Sequence, residues 1–269
     1  GKYIGKKWIN KPTYKPQVTP KEDAIAEAVA MMRSAKRPVF YTGGGVINSG
    51  PDASKALRVL QKATGFPVTS TLMGLGAFPA SHTDWLGMLG MHGSYEANQA
   101  MHDCDLMICV GARFDDRVTG RIDAFSPGSK KIHIDIDPSS INKVIRADLP
   151  IVADCGKALT ALLAAWKDSG AKKPDIKAWT EQINTWRGRK CFAYAHSETE
   201  IKPQYAVERL YELTKDRDTY ISTEVGQHQM WAAQHYHFEE PNRWMTSGGL
   251  GTMGYGLPAA GGIQAAHRD

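Results

Sequence analysis

Three consecutive glycines, Gly43, Gly44 and Gly45, directly follow a short apolar run, and comparable segments recur along the first half of the sequence. These segments are TSTLMGLG (69–76), LGMHG (89–93), GARFDDRVTG (111–120) and HIDID (133–137). Because glycine lets the backbone approach a phosphate or a flat ring closely, such segments are typical of ligand-binding loops. A tight strand-to-helix turn would also explain the three glycines. The spacing is not GxGxxG, which disfavours a standard nicotinamide-binding fingerprint.

Charged residues lie in the same segments. Arg113 and Arg117 share one loop with two aspartates, which predicts either a surface ion-pair network or a site for an extended anionic ligand. Asp135 lies near the end of a predicted strand, where a carboxylate can hold a ribose or ribityl hydroxyl, and Asp154 repeats this position after the next strand. Each of these residues alone is weak evidence. Together with the glycine segments they favour a large dinucleotide.

Alternating strands and helices must position these segments. Strands are predicted at 38–42, 67–71, 106–110, 131–137 and 150–153, and helices at about 20–36, 52–64, 95–101 and 156–166. This alternation predicts an α/β fold with a doubly wound, Rossmann-like parallel sheet that carries helices on both faces. In such sheets, ligands bind at the carboxyl ends of the strands.

The first helix is expected to begin at a capping box. Thr19 would accept the backbone amide of Glu22, and Pro20 would take the first helical position. The apolar face of this helix would consist of Ile25, Ala28, Val29 and Met32.

A second α/β unit is predicted from residue 202 onwards. It contains a helix at 204–213, a strand at 219–223, a helix from about Gln227, a strand at 243–246 and a helix from about Gly254. Polar residues 167–174 mark the exit from the first unit, and a long polar helix over 176–195 is expected to bridge the two units. The predicted domains are an inter-domain linker at 1–19, a central domain at 20–168, a linker and bridging helix at 169–200, and the truncated first part of another domain at 201–269.

The two ends of the sequence indicate a fragment of a longer protein. Residues 1–20 contain prolines and no helical or strand period, which predicts an extended connector after an earlier domain. The apolar side chains in this connector would pack on another part of the protein; they are Tyr3, Ile4, Trp8 and Tyr14. The sequence stops inside or just after an apolar helix pattern.

Composition narrows the class of protein. The net charge of the 269 residues is only +5, with no dense basic run, which favours a solvated surface over nucleic-acid binding. The four cysteines form no CxxC pair and no cluster with metal-ligand spacing, which is typical of reduced thiols in a cytoplasmic protein. We expect no membrane segment, because no apolar run approaches the ~20 residues that span a bilayer. No signal-peptide pattern opens the sequence.

The segments GGGV, STLMGLGAFP, LGMLGMHGSYEAN, GARFDDRVTG and KIHIDIDPSSINK resemble the central, FAD-binding domain of the acetohydroxyacid synthase (acetolactate synthase) family of thiamine-diphosphate enzymes. Two later segments, EVGQHQMW (224–231) and SGGLGTMGYGLP (247–258), resemble the start of the diphosphate-binding domain of the same family. The resemblance covers nearly the whole chain. GMHG and GARFDDRVTG are distinctive among thiamine-diphosphate enzymes.

The resemblance implies a set of cofactor and substrate residues. The implied FAD contacts are Gly43, Gly44, Gly45, Thr71, Leu72, Met73, His92, Gly111, Arg113, Arg117, Asp135, Ile136 and Asp154. The implied thiamine diphosphate contacts are Val225, Gly226, Gln227, His228, Gly251 and Met253. Met91 and Arg117 are expected to border the substrate channel. Glu224 matches no catalytic carboxylate of the family.

The resemblance also implies an activity. The intact enzyme would decarboxylate pyruvate and condense the product with pyruvate or 2-oxobutanoate, on the path to the branched-chain amino acids valine, leucine and isoleucine. FAD would have a structural role. The large subunit would form a homodimer and bind a small regulatory subunit.

Parts of the family's catalytic machinery are not in this sequence. The glutamate that activates the cofactor belongs to the family's first domain, and the GDG…N motif that holds Mg²⁺ is not present. We therefore expect no catalytic residue and no metal ligand here. The alternatives are a flavin-containing pyruvate oxidase or glyoxylate carboligase, against which GARFDDRVTG argues, and a non-enzymatic nucleotide-binding module.

Overall fold

The structure is a computed structural model that describes residues 16–268. The expected packing of Tyr3, Ile4, Trp8 and Tyr14 therefore lies outside the described residues. Within 16–268, no helix combines the length and apolar character needed to cross a membrane.

The first unit is built on a parallel sheet. In the described part of the chain this sheet has six strands: β1 (Pro38–Thr42), β2 (Val68–Ser70), β3 (Trp85–Met88), β4 (Leu106–Val110), β5 (Lys130–Asp135) and β6 (Leu149–Val152). Their order across the sheet is β3-β2-β1-β4-β5-β6, and every pairing is parallel. The predicted doubly wound α/β fold is confirmed. Strand β3 was not predicted.

The centre of the sheet is buried on both faces. All five residues of β1 and all five of β4 are buried, and Phe40 pairs in register with Ile108. Neighbouring side chains of a strand point to opposite faces. Phe40 packs towards Phe66, with ring centroids 5.7 Å apart, while Tyr41 packs towards Phe114 at 5.4 Å. Apolar side chains therefore cover both faces, as continuous apolar strands predict.

Seven helices of the described chain accompany this sheet: α1 (Glu22–Ser34), α2 (Gly44–Asn48), α3 (Pro51–Thr64), α4 (Tyr95–Asp103), α5 (Asp116–Thr119), α6 (Cys155–Asp168) and α7 (Lys177–Arg187). The expected face of α1 is confirmed, because its buried residues are Ile25, Ala28, Val29 and Met32. The expected capping box is wrong. The helix begins at Glu22, so Lys21 rather than Thr19 is the N-cap, and it makes no side-chain cap hydrogen bond. The carbonyl of Val18, just before this start, accepts the amide of Asp154 at 3.0 Å.

The predicted long helix at 176–195 is shorter in the structure. Helix α7 ends at Arg187, and the next residue is a glycine. The helix packs against the first unit: Trp179 is buried and its Nε1 donates a hydrogen bond to the carbonyl of Pro38 at 3.0 Å. The segment after the helix, rather than the helix itself, leads to the second unit.

The second unit consists, within the described residues, of α8 (Pro203–Thr214), β7 (Ile221–Thr223), α9 (Gln227–His235), β8 (Trp244–Thr246) and α10 (Gly256–Ala266). Strands β7 and β8 pair in parallel. An apolar cluster joins the two units: Leu75 and Met88 of the first pack with Tyr236, Phe238 and Trp244 of the second.

Polar contacts reinforce this junction. Arg58 donates hydrogen bonds to both carboxylate oxygens of Glu240, at 3.3 and 3.1 Å. The amide and hydroxyl of Ser81 donate to the two oxygens of Glu239, at 2.9 and 2.7 Å.

Candidate functional site

The residues predicted to bind FAD lie along one edge of the six-stranded sheet. Gly43, Gly44 and Gly45 follow β1; Thr71, Leu72 and Met73 follow β2; His92 follows β3; Gly111, Arg113 and Arg117 follow β4; Asp135 and Ile136 lie at the end of β5; and Asp154 follows β6. Because all six strands are parallel, their carboxyl ends meet at the same edge. The fold therefore brings this set together along a line rather than around a point.

The centre of this edge is the junction between β1 and β4, where the strand order reverses. The amide of Gly43 donates to the carbonyl of Val110, and the amide of Gly45 donates to the carbonyl of Gly111, both at 2.9 Å. A Cβ atom added to Gly43 would lie 2.2 Å from the Gly111 oxygen. The two loops thus pack backbone against backbone. In doubly wound sheets this reversal point is where ligands bind.

A buried polar network lies beneath the loops and was not predicted. The hydroxyl oxygens of Thr42 and Ser70 are 3.1 Å apart, and Trp85 Nε1 donates to Ser70 Oγ at 3.2 Å. The amide of Thr71 donates to the carbonyl of Thr42 at 2.8 Å. These contacts fix the loops after β1 and β2 relative to each other. Strand β3 supplies the tryptophan, so the network was not visible without that strand.

His133 supports the loop after β4. Its side chain is fully buried, and its Nε2 donates to the carbonyl of Ala112 at 2.8 Å. A carbonyl can only accept, so the Nε2 atom carries the proton. Burial lowers the pKa of His133, although the Ala112 carbonyl and the charge of Asp135 oppose that shift. The neutral imidazole therefore holds the chain just before Arg113.

The two predicted channel residues are neighbours. The amide of Met91 donates to the carbonyl of Arg117 at 2.8 Å, and the Met91 side chain is 63% exposed. Arg117 pairs with Asp116 at 3.3 Å, and Arg113 pairs with Asp115 at 3.0 Å. All four of these charged side chains are more than half exposed, so each pair contributes at most ~1 kcal/mol to stability.

Three other predicted FAD residues have protein partners in the structure. Asp154 is the N-cap of α6: one carboxylate oxygen accepts the amide of Lys157 at 3.0 Å and the other accepts the hydroxyl of Ser49 at 2.6 Å. These bonds give Asp154 a structural role at the start of that helix. Asp135 is buried and accepts the amide of Asp137 at 2.9 Å. His92 is exposed, and its carbonyl accepts Gln234 Nε2 at 2.9 Å.

The residues predicted to bind thiamine diphosphate follow β7 and β8, whose carboxyl ends are adjacent. Val225, Gly226, Gln227 and His228 follow β7, and Gly251 and Met253 follow β8. The carboxylate of Glu224 accepts the amide of Gly254, which ties the two loops together. A Cβ atom on Gly251 would lie 3.7 Å from the Val225 side chain. Within residues 16–268, no group of three His, Cys, Asp or Glu side chains is arranged to hold a metal ion.

Comparison with known proteins agrees with this division into two units. The family described as "Thiamine pyrophosphate enzyme, central domain" matches residues 25–162, and "Thiamine pyrophosphate enzyme, C-terminal TPP binding domain" matches residues 224–269. The chain belongs to the thiamine pyrophosphate enzyme family. Thiamine pyrophosphate is another name for thiamine diphosphate. The first match contains the sheet with the glycine loops, and the second contains the loops after β7 and β8.

Members of this family with curated names resemble the chain along nearly its whole length. The chain is 46% identical to the acetolactate synthase isozyme 3 large subunit of Escherichia coli over 98% of its length. It is 43% identical to the acetolactate synthase large subunit of Haemophilus influenzae and 45% identical to that of Corynebacterium glutamicum. Each of these two matches covers 97% of the present chain. The chain spans 46%, 45% and 41% of these three relatives, or a little under half.

Proposed function

We propose that this chain is the central region and the start of the C-terminal region of an acetolactate synthase large subunit. The intact enzyme converts pyruvate to 2-acetolactate, or pyruvate and 2-oxobutanoate to 2-aceto-2-hydroxybutanoate. The observation that carries the proposal is the continuous similarity to named acetolactate synthase large subunits, which runs through both units at 41–46% identity. The predicted domain boundaries, at 20–168 and 201–269, are part of the same proposal.

FAD fits the carboxyl edge of the six-stranded sheet. Gly43, Gly45 and Gly111 leave the centre of this edge without side chains. The guanidinium groups of Arg113 and Arg117, 63% and 71% exposed, stand beside it and can pair with phosphates. Six neighbouring strands have five gaps between them, which place the outermost strands about 24 Å apart along this edge. That length suits an extended dinucleotide.

Thiamine diphosphate fits the loops after β7 and β8. Gln227 and His228 are exposed at the start of α9, where backbone amides and the helix dipole favour an anion. Glu224 sets the spacing between the loops and is already bonded to Gly254. When bound, thiamine diphosphate supplies the electron sink for decarboxylation of a 2-oxo acid. Mg²⁺ would be held by residues outside this chain.

Met91 and Arg117 are assigned to the entrance for the 2-oxo acid. The Met91 side chain is among the more exposed large apolar groups of the described chain, and the adjacent Arg117 offers a planar fork of donors. The arginine would attract the substrate carboxylate while the methionine excludes water beside it.

The same proposal covers the compartment, the oligomeric state and the partner subunit of the enzyme. The large subunit would act in the cytoplasm as a homodimer, with a small regulatory subunit, in the synthesis of branched-chain amino acids. The names of the relatives as large subunits support a smaller partner.

The proposal is tested with the full-length protein that carries this sequence. Incubation with pyruvate, thiamine diphosphate, Mg²⁺ and FAD should produce 2-acetolactate, measured as acetoin after acid decarboxylation, with no oxygen consumption coupled to turnover. Oxygen uptake with peroxide formation would assign a pyruvate oxidase instead. Carboligation of glyoxylate in preference to pyruvate would assign a glyoxylate carboligase.

A further inference from the structure

The loops assigned to the two cofactors touch each other at Gly248, where Met73 makes the closest contact and Leu72 a looser one. Met73 follows β2, at the carboxyl edge of the sheet assigned to FAD, and Gly248 follows β8, shortly before Gly251 and Met253, which are assigned to thiamine diphosphate. A Cβ atom added to Gly248 would lie 2.3 Å from Met73 Sδ and 3.1 Å from Met73 Cγ. The thioether therefore packs directly on the backbone of the second unit.

The other end of Met73 packs on the glycine loop. A Cβ atom on Gly44 would lie 3.2 Å from Met73 Cβ. The turn that contains Met73 is itself fixed, because a Cβ on Gly74 would lie 2.6 Å from the carbonyl oxygen of Thr42. Met73 thus fills the space between Gly44, at the centre of the FAD edge, and Gly248.

The hydrogen bonds that hold the loop after β8 lie within the second unit. The amide of Thr252 donates to the hydroxyl of Ser247 in the same loop at 2.8 Å. The amide of Gly254 donates to the carboxylate of Glu224 in the loop after β7. Residues 248–254 are all exposed. The Met73 side chain is 43% exposed and belongs to a flexible, unbranched residue type that adapts to its surroundings. A ligand that orders either loop therefore also orders the side chain that contacts the other.

We propose that Met73 is a positioning residue that couples the two cofactor sites, so that FAD and thiamine diphosphate strengthen each other's binding. This inference rests on the proposed function. FAD in contact with the turn at 72–74 would restrict Met73, and the restricted thioether would hold Gly248 and the following loop. Coupling of this kind is reciprocal, so thiamine diphosphate should tighten FAD binding by the same factor as FAD tightens thiamine diphosphate binding. A substitution at Gly248 that displaces Met73 should then alter FAD affinity.

The test is a double-mutant cycle in the full-length protein, with the dissociation constant of FAD measured by flavin fluorescence. Gly248→Ala should weaken FAD binding by about fivefold or more, because the new methyl displaces the thioether towards Gly44. Gly249→Ala is the matched control. It lies in the same loop and has no atom within 4 Å of its added Cβ, and neither glycine has a positive φ. The control should stay within about twofold of wild type.

The second arm uses Met73→Ala, which removes the atoms that a methyl on Gly248 would displace. In that background Gly248→Ala should change FAD affinity by no more than about twofold. Saturating FAD should tighten thiamine diphosphate binding to the wild type, and this gain should shrink in Met73→Ala. An equal effect of Gly248→Ala in both backgrounds, or no effect in either, overturns the coupling while leaving the proposed function intact. A wild-type protein that binds no FAD overturns the FAD assignment and the coupling together.

Discussion

The amide of Gly45 donates a hydrogen bond to the carbonyl of Gly111 at 2.9 Å, and a Cβ atom on either glycine would lie 2.6 Å from the Cα of the other. The thiol of Cys155 packs against the same two glycines: its sulfur would lie 2.9 Å from a Cβ atom added to Gly111. Burial raises the pKa of Cys155 to about 12, so the thiol is a neutral packing group. The close approach of the two loops by itself requires glycine at both positions.

Gly111→Ala should destabilise the protein. Gly111 has φ +65°, which strains an L side chain, and its new methyl would clash with Gly45 and Cys155. The expected loss is roughly 2–4 kcal/mol in the free energy of unfolding, measured by urea denaturation. Gly128→Ala, where the added Cβ meets no atom within 4 Å, should change it by less than about 0.5 kcal/mol. Equal effects at both positions would contradict the close-packing explanation.

Arg117→Lys should impair the full-length enzyme without lowering its melting temperature. The Arg117–Asp116 pair is exposed and contributes little to stability, whereas lysine cannot copy the planar fork of a guanidinium. Loss of one charge-assisted contact predicts a roughly tenfold to hundredfold fall in kcat/KM, with FAD occupancy measured in parallel.

Arg121→Lys provides the matched control, because Arg121 forms a similarly exposed pair with Asp123 at 2.7 Å. Its kcat/KM should stay within about twofold of wild type, since exposed pairs have small effects. If Arg117→Lys behaves like this control, Arg117 has no part in substrate or flavin binding.

Acidification should destabilise the folded chain partly through His133. Burial lowers the pKa of this residue below its usual 6.5. As the pH falls below 6.5, His133 is protonated in the unfolded state but stays neutral in the folded state, so protonation favours unfolding. The contribution of His133 to stability is fully present above about pH 6.5 and decreases as the pH approaches the lower folded pKa. His133→Gln keeps a donor for the Ala112 carbonyl but does not titrate.

The measurement is the urea midpoint at about pH 7.5 and about pH 5.5, taken for both proteins. His133→Gln should lose less stability than wild type over that interval. Burial also lowers the pKa of His237, so some loss should remain in the variant. An identical loss in the two proteins would exclude His133 as a contributor.

The 269-residue chain alone should not form acetolactate. By family resemblance, the activating glutamate and the Mg²⁺ ligands lie outside it. An assay of the chain with pyruvate, thiamine diphosphate, Mg²⁺ and FAD should stay at the level of the enzyme-free blank, while the full-length protein turns over. Product formation by the chain alone would contradict the assignment of the catalytic residues to regions outside this chain.

The sequence predicts the sheet centre well, because β1 and β4 are continuous apolar runs with clear boundaries. Both strands were predicted at 38–42 and 106–110, the ranges that the structure shows. Strand β3 was missed because Gly87 interrupts its four residues and glycine-rich segments flank it. Only its pairing with β2 defines it, and that contact is not local in sequence.

The site was predictable in part for the same reason. Strand ends could be placed from the apolar pattern, so the residues predicted to bind FAD could be expected at one edge of the sheet, where the structure has them. That they bind FAD stays a prediction. The contacts between loops were not predictable, because they join residues far apart in the chain. Ser49 bonds to Asp154, and Met73 packs on Gly248, and neither partner is marked by a local motif. The capping box failed because the helix starts at Glu22, while Val18 just before it bonds to Asp154, a partner far away in the sequence.

The most direct test of the account is a thermal melt of this chain with and without FAD. A ligand that binds only the folded state stabilises it by about 2.7 kcal/mol at a hundredfold excess over its dissociation constant. We predict that saturating FAD raises the melting temperature of the wild type, and that Gly111→Ala abolishes the rise. A wild-type melting temperature unchanged by saturating FAD would contradict the assignment of the carboxyl edge of the sheet as a flavin site.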